Sequence, residues 1–228
     1  MTTAAGPVSG YAGTRRRASL ALLVIANLVP LAGVLFLDWD IAALVVLYWS
    51  ENLVLGFYTL LKMLVVNPLG ALPMGLFFAI HYGGFCAVHG LFILTLLIDD
   101  QAQVLGGDSW PLFLVFIQLL LEVVRQVLAH APPYWLWAFL ALLVSHGGSF
   151  VLNFLLAGER ERASLNALMG APYGRIAVLH IAIIAGGFAV LALGEPLGLL
   201  LVLVALKLGL DISLHLREHR KAAATADR

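Results

Sequence analysis

The stretch IAALVVLYWSENLVLGFYTLLKMLVV, residues 41–66, decides the fold. At about 1.5 Å of rise per residue it is long enough to cross a hydrocarbon layer of roughly 30 Å. Glu51 sits well inside it. Lipid penalises such a group, which is tolerated only when it faces protein, water or a bound ion, so Glu51 is a candidate functional residue. The same interruption recurs along the chain, at His81 with His89, at His146, at His180, and at Asp211 with His215.

Composition agrees with a membrane class. Of 228 residues 62% are hydrophobic and 11% charged, against roughly 45–50% and 25% in soluble domains; the mean hydropathy is +0.99. Thirteen basic and thirteen acidic residues cancel, so no basic surface points to nucleic acid. The lone Cys86 excludes an intramolecular disulfide and a CxxC motif.

Apolar runs cover 18–37, 41–66, 72–98, 110–129, 134–157, 173–193 and 197–216, separated by segments rich in Gly, Pro or charge such as Asn67-Pro68, Pro132-Pro133 and Gly194-Glu195-Pro196. The first run is too long for a secretory signal and ends in Leu37-Asp38-Trp39-Asp40 rather than at a cleavage site. One membrane-embedded helical domain over 18–221 is expected, between a disordered basic N-terminus (1–17) and a disordered tail (222–228).

Lys and Arg near span ends are retained on the cytoplasmic side. Segments holding Asp38, Asp40, Asp99, Asp100, Asp108 and Glu195 carry acids only and read as outside. Arg15 to Arg17, Lys62, Arg160, Arg162, Arg175, Arg217, Arg220 and Lys221 read as inside. The assignment needs one net crossing between Asp108 and Glu159, where two apolar segments lie. The segment 110–129 is the one expected not to cross, because Gln118, Glu122, Arg125 and Gln126 form a polar stripe at helical spacing. The expected fold is therefore all-α, a polytopic transmembrane helix bundle of six crossings plus one interfacial, tilted or re-entrant helix. Seven crossings, with Glu122 and Arg125 as an intrahelical pair, is the alternative.

Counting from the cytoplasmic helix ends puts His180 and Asp211 roughly 10 Å deep, His81 roughly 13 Å and His146 roughly 16 Å, while Glu51 and His89 fall at roughly 22–25 Å. On this count His81, His180, Asp211 and His215 form an inner candidate metal site, with Asp211 and His215 at i and i+4 on one helical face. An ordinary Lys207–Asp211 ion pair is the competing reading of Asp211. His146 and Glu51 are the candidate catalytic groups. Ser145 and Ser149 flank His146, but Gly-x-Ser-x-Gly is absent, which disfavours a Ser–His hydrolase. Glycines beside the histidines allow close helix approach.

The combination of Tyr48-Trp49-Ser50-Glu51-Asn52, His81-Tyr82-Gly83-Gly84-Phe85-Cys86-Ala87-Val88-His89-Gly90, Ser145-His146-Gly147-Gly148-Ser149-Phe150, Pro172-Tyr173-Gly174-Arg175 with His180, and Lys207 with Asp211 and His215 resembles a family of bacterial multi-pass membrane proteins catalogued as domain of unknown function 6498. The resemblance implies a bacterial inner-membrane location and brings no activity with it.

Three functions stay open from the residues. One is a metal-dependent intramembrane hydrolase using zinc or iron to polarise a carbonyl or activate water. A second is a transporter or proton relay through Glu51, His89, His146 and Lys207. The third is a b-type haem protein with two axial histidines. The lipid bilayer is the expected partner in all three.

Overall fold

A computed structural model of the chain describes residues 31–97, 108–194 and 197–226, with backbone alone for 97, 210–211 and 214–226. Most of the first apolar run, residues 1–17, the 98–107 segment and Glu195 therefore lie outside the described residues. So do the side chains of Asp211 and His215.

The described residues are helical, with no strand among them. Residues 31–37 are helical and are followed by α1 (Ile41–Val66), α2 (Pro68–Leu97), α3 (Leu114–His130) and α4 (Pro133–Ser149). The last of these continues as π-helix over Phe150–Leu156. A 3₁₀ turn (Glu159–Glu161), α5 (Leu165–Gly170), α6 (Tyr173–Leu193) and α7 (Leu197–Ala226) complete the order. Four segments are long and apolar enough to cross a membrane: Ile41–Val66, Pro68–Leu96, Pro133–Leu156 and Leu165–Leu193. Leu197–Gly209 is a shorter apolar helix.

Local chemistry sets the boundaries. Asp40 caps α1 by accepting from the Ala42 N–H at 2.8 Å and the Ala43 N–H at 3.3 Å. Asn67 leaves the helical region at φ −155°, ending α1, and its Oδ1 accepts from the Gly70 N–H at 2.9 Å, so one residue stops α1 and starts α2. Pro133 occupies the first turn of α4, where a missing N–H costs nothing. Gly194 ends α6 at φ 71° with its N–H bonded to the Val190 carbonyl, a conformation that favours glycine. At its other end α7 stays helical through Ala222, Ala223 and Ala224 to Ala226, past the boundary at 222, because alanine is the strongest helix former.

Glycine-mediated approach joins the helices, as lipid-embedded packing requires. A Cβ on Gly56 of α1 would meet the Tyr82 ring at 2.9 Å; on Gly90 of α2 it would meet Val123 of α3 at 2.6 Å and Trp49 of α1 at 2.7 Å. Gly186 of α6 lies against Leu199 of α7, and Gly198 against the Ala189 backbone. Trp49, 1% exposed, ties α1 to α2 by donating from Nε1 to the Cys86 carbonyl at 2.8 Å.

Two elements are placed differently from a simple stack of full-length spans. α3 starts beside Gly84, which Phe116 touches, and moves past Gly90 at Val123, so it runs in the same direction as α2. Its start lies roughly 20 Å back along α2 from Leu97. The intrahelical Glu122–Arg125 pair, which belonged to the seven-crossing alternative, is present, with Arg125 Nε 2.9 Å from Glu122 Oε2. α6 also starts partway up the bundle: Leu165 of α5 packs on Gly70 near the start of α2, whereas Tyr173 reaches His81, eleven residues further along α2.

Candidate functional site

The high start of α6 rearranges the expected layers. His180 is seven residues beyond Tyr173, and Tyr173 stands level with His81. His180 is therefore roughly 10 Å further along than His81 and meets His89 instead. His89 Nδ1 lies 2.6 Å from the Phe85 carbonyl, which can only accept, so that nitrogen carries the proton. His89 Nε2 lies 2.9 Å from His180 Nδ1, one nitrogen donating and the other accepting. His81 Nδ1 is 2.8 Å from the Tyr173 hydroxyl. The separation of His81 from His89 holds, but His180 joins the outer of the two rather than the inner. His81, His89 and His180 edge an apolar cavity of about 430 Å³ walled by Phe77, Phe85, Phe113 and Phe116.

Arg175 is carried up by the same offset. It lies two residues beyond Tyr173, and Nη2 is 2.7 Å from Glu51 Oε1. Lys207 of α7 approaches the other oxygen, Nζ to Oε2 at 3.3 Å, while its ammonium sits 4.4 Å from the centre of the Tyr48 ring. His146 Nε2 of α4 lies 3.8 Å from Glu51 Oε1, too long for a hydrogen bond and close enough for an ion pair when the imidazole is protonated. Side chains from α1, α4, α6 and α7 thus converge on one carboxylate that is 13% exposed. Those of α1, α6 and α7 border a cavity of about 50 Å³ whose wall includes Tyr48, Glu51, Asn52, Arg175 and Lys207.

The backbone around the site is built for position. Asn52, 5% exposed, turns its amide back onto the Tyr48 and Trp49 carbonyls, and the Tyr82 hydroxyl donates to the Asn52 carbonyl at 3.1 Å. Those bonds hold the middle of α1 against α2. On the α4 side, Tyr58 donates to the Leu143 carbonyl at 3.0 Å, and a Cβ on Gly147 would collide with the Tyr58 hydroxyl at 2.6 Å. The switch from α- to π-helix begins four residues after His146; such wide turns recur at functional sites because they redirect side chains. Asn153 donates its amide to the Ser149 hydroxyl one turn back at 3.1 Å.

The candidate catalytic residues Glu51 and His146 are brought together, although the depth count had put them in different layers. The candidate metal residues His81 and His180 are not: each bonds a different partner. Among the described residues no three His, Cys, Asp or Glu side chains gather where an ion could sit. Lys207 pairs with Glu51 across 156 positions of sequence. Arg175 is the functional candidate that sequence reasoning missed. As the first basic residue after a loop holding Arg160 and Arg162 it read as a topological charge, and only its place after Tyr173, one turn from an apolar run, hinted otherwise.

Residues 11–228 match the model of a family of unknown function, DUF6498. No curated protein and no solved structure matches the chain.

Proposed function

We propose, for this chain, which belongs to the DUF6498 family, a role as a multi-pass transport protein of the bacterial inner membrane that moves protons or a small solute through the Glu51 cluster. The observation that carries the reading is the convergence of Glu51, His146, Arg175 and Lys207 from four helices beside a cavity. Ionisable groups in membrane interiors are costly, and where they persist they mark ion and substrate paths. An imidazole beside a carboxylate adds a group with both a donor and an acceptor nitrogen. This reading is favoured over a hydrolytic metal centre because His81 and His180 are each committed to a different hydrogen bond.

In the same reading the chain crosses six times and α3 is re-entrant. α3 starts mid-bundle, runs with α2, and ends next to the start of α4, where Asp38, Trp39 and Asp40 also border Tyr134 and Trp135. That end is the outer face; the basic loop around Arg160 and Arg162 is cytoplasmic.

Reconstitution into vesicles with an internal pH dye tests the role. Under an imposed pH or solute gradient, wild type is expected to carry protons, alone or with a screened solute, at least about tenfold faster than Glu51→Gln, one pH unit's worth of coupling energy. Wild-type flux no greater than that of protein-free vesicles overturns the proposal.

A further inference from the structure

Glu51 faces two basic side chains where one cation would neutralise it. Arg175 holds Oε1 and Lys207 holds Oε2, and among the described residues no other carboxylate pairs with either. With His146 neutral, the described cluster carries one positive charge in excess. A guanidinium has five N–H donors in a fork suited to a carboxylate, and Arg175 Nη2 lies 2.7 Å from Glu51 Oε1. The two cations are already spaced for the two oxygens of one carboxylate, and the cavity of about 50 Å³ beside them has room for a ligand of a few heavy atoms.

We infer that this cavity binds a small monocarboxylate of acetate size, whose oxygens replace those of Glu51 on Arg175 and Lys207 when Glu51 takes up a proton. The inference rests on the transport reading above and gives it a substrate class and a coupling rule. Glu51 and the ligand compete for the same two cations, so protonating Glu51 frees them for the ligand. By linkage, the bound ligand raises the proton affinity of Glu51 by the same factor. One proton and one carboxylate then enter together as a neutral pair, the form in which a charge moves through lipid at least cost. Chloride, a single atom, offers no pair of oxygens to divide between the two cations.

Other groups face Glu51 and must be separated from it. His146 on α4 is titratable; Tyr48 lies one turn away on α1 under Lys207; Tyr82 on α2 bonds the Asn52 carbonyl. Asp211, four residues beyond Lys207 on α7, has a side chain outside the described set and is tested directly.

Acetate binding to the detergent-purified full chain, measured by calorimetry across a pH series, decides the inference. In wild type Kd is expected to rise about tenfold per pH unit with one proton absorbed per acetate. In Glu51→Gln the affinity at neutral pH should tighten at least about tenfold, with its pH dependence flattened. His146→Gln and Asp211→Asn should keep the slope. A pH-independent wild-type Kd overturns the coupling even if no variant folds. A slope retained in Glu51→Gln means that the ligand, not Glu51, carries the proton, and a slope lost only in Asp211→Asn moves the role to Asp211; either overturns the assignment. Tighter binding of chloride or phosphate than of acetate overturns the substrate class. Coupled acetate binding without vesicle flux would refute the transport reading alone, whereas flux without coupled acetate binding would refute this inference alone.

Discussion

Among the described residues the carboxylate that Lys207 meets is Glu51, 156 positions away, and Arg175 shares it. The arrangement has energetic consequences. Glu51→Leu leaves Arg175 and Lys207 uncompensated in a mostly buried setting, where breaking a pair by removing one partner costs about 3–5 kcal/mol. Lys207→Met leaves Glu51 still paired to Arg175 at 2.7 Å, so it should cost clearly less. Glu51→Leu/Lys207→Met should recover part of the loss of Glu51→Leu. Thermal unfolding of the three variants in detergent checks the order; a more damaging Lys207→Met than Glu51→Leu would contradict the geometry. That Glu51 and His146 bear on function was legible from their position inside apolar runs. Their partnership was not, because side chains 95 positions apart meet only through helix packing.

At the scale of the element, glycines divide into those that packing demands and those it does not. Gly90 is pinched between Trp49 and Val123, with no room for a Cβ, whereas Gly148 has nothing within 4 Å. Gly90→Ala should therefore push α1 and α3 off α2 and cost about 1–3 kcal/mol, the range for overpacking. Gly148→Ala should be neutral or stabilising by up to about 1 kcal/mol, since alanine is the better helix former. Equal melting temperatures for the two variants would show that the α1–α2–α3 contact is looser than described. The sequence signal, a glycine beside a histidine, is the same at both positions; the neighbouring helix makes the difference.

For the whole molecule the decisive question is which way the chain crosses. In the six-crossing arrangement proposed above, the α3–α4 turn at His130 is outside and the loop at Ser164 is inside; seven crossings reverse both. In a Cys86→Ala background, chosen because Cys86 is fully buried, an impermeant thiol reagent should label His130→Cys in spheroplasts and Ser164→Cys only after permeabilisation. The opposite pattern would restore α3 as a crossing helix.

Composition, span length and the chemistry of Asp40, Asn67-Pro68, Pro133 and Gly194 determined from sequence alone that this is an all-helical, apolar chain and where most helices begin and end, because those features depend on residues within a few positions of each other. The same local logic placed polar residues inside apolar runs and marked them as sites. It failed on level. Depth was counted from each helix end as though every end lay at one surface, but α5 and the turn before it lift the start of α6 to His81. That one offset sends His180 to His89 and Arg175 to Glu51. Where a helix starts relative to its neighbours is set by packing between elements far apart in sequence, so only the tertiary structure decided which buried groups became partners.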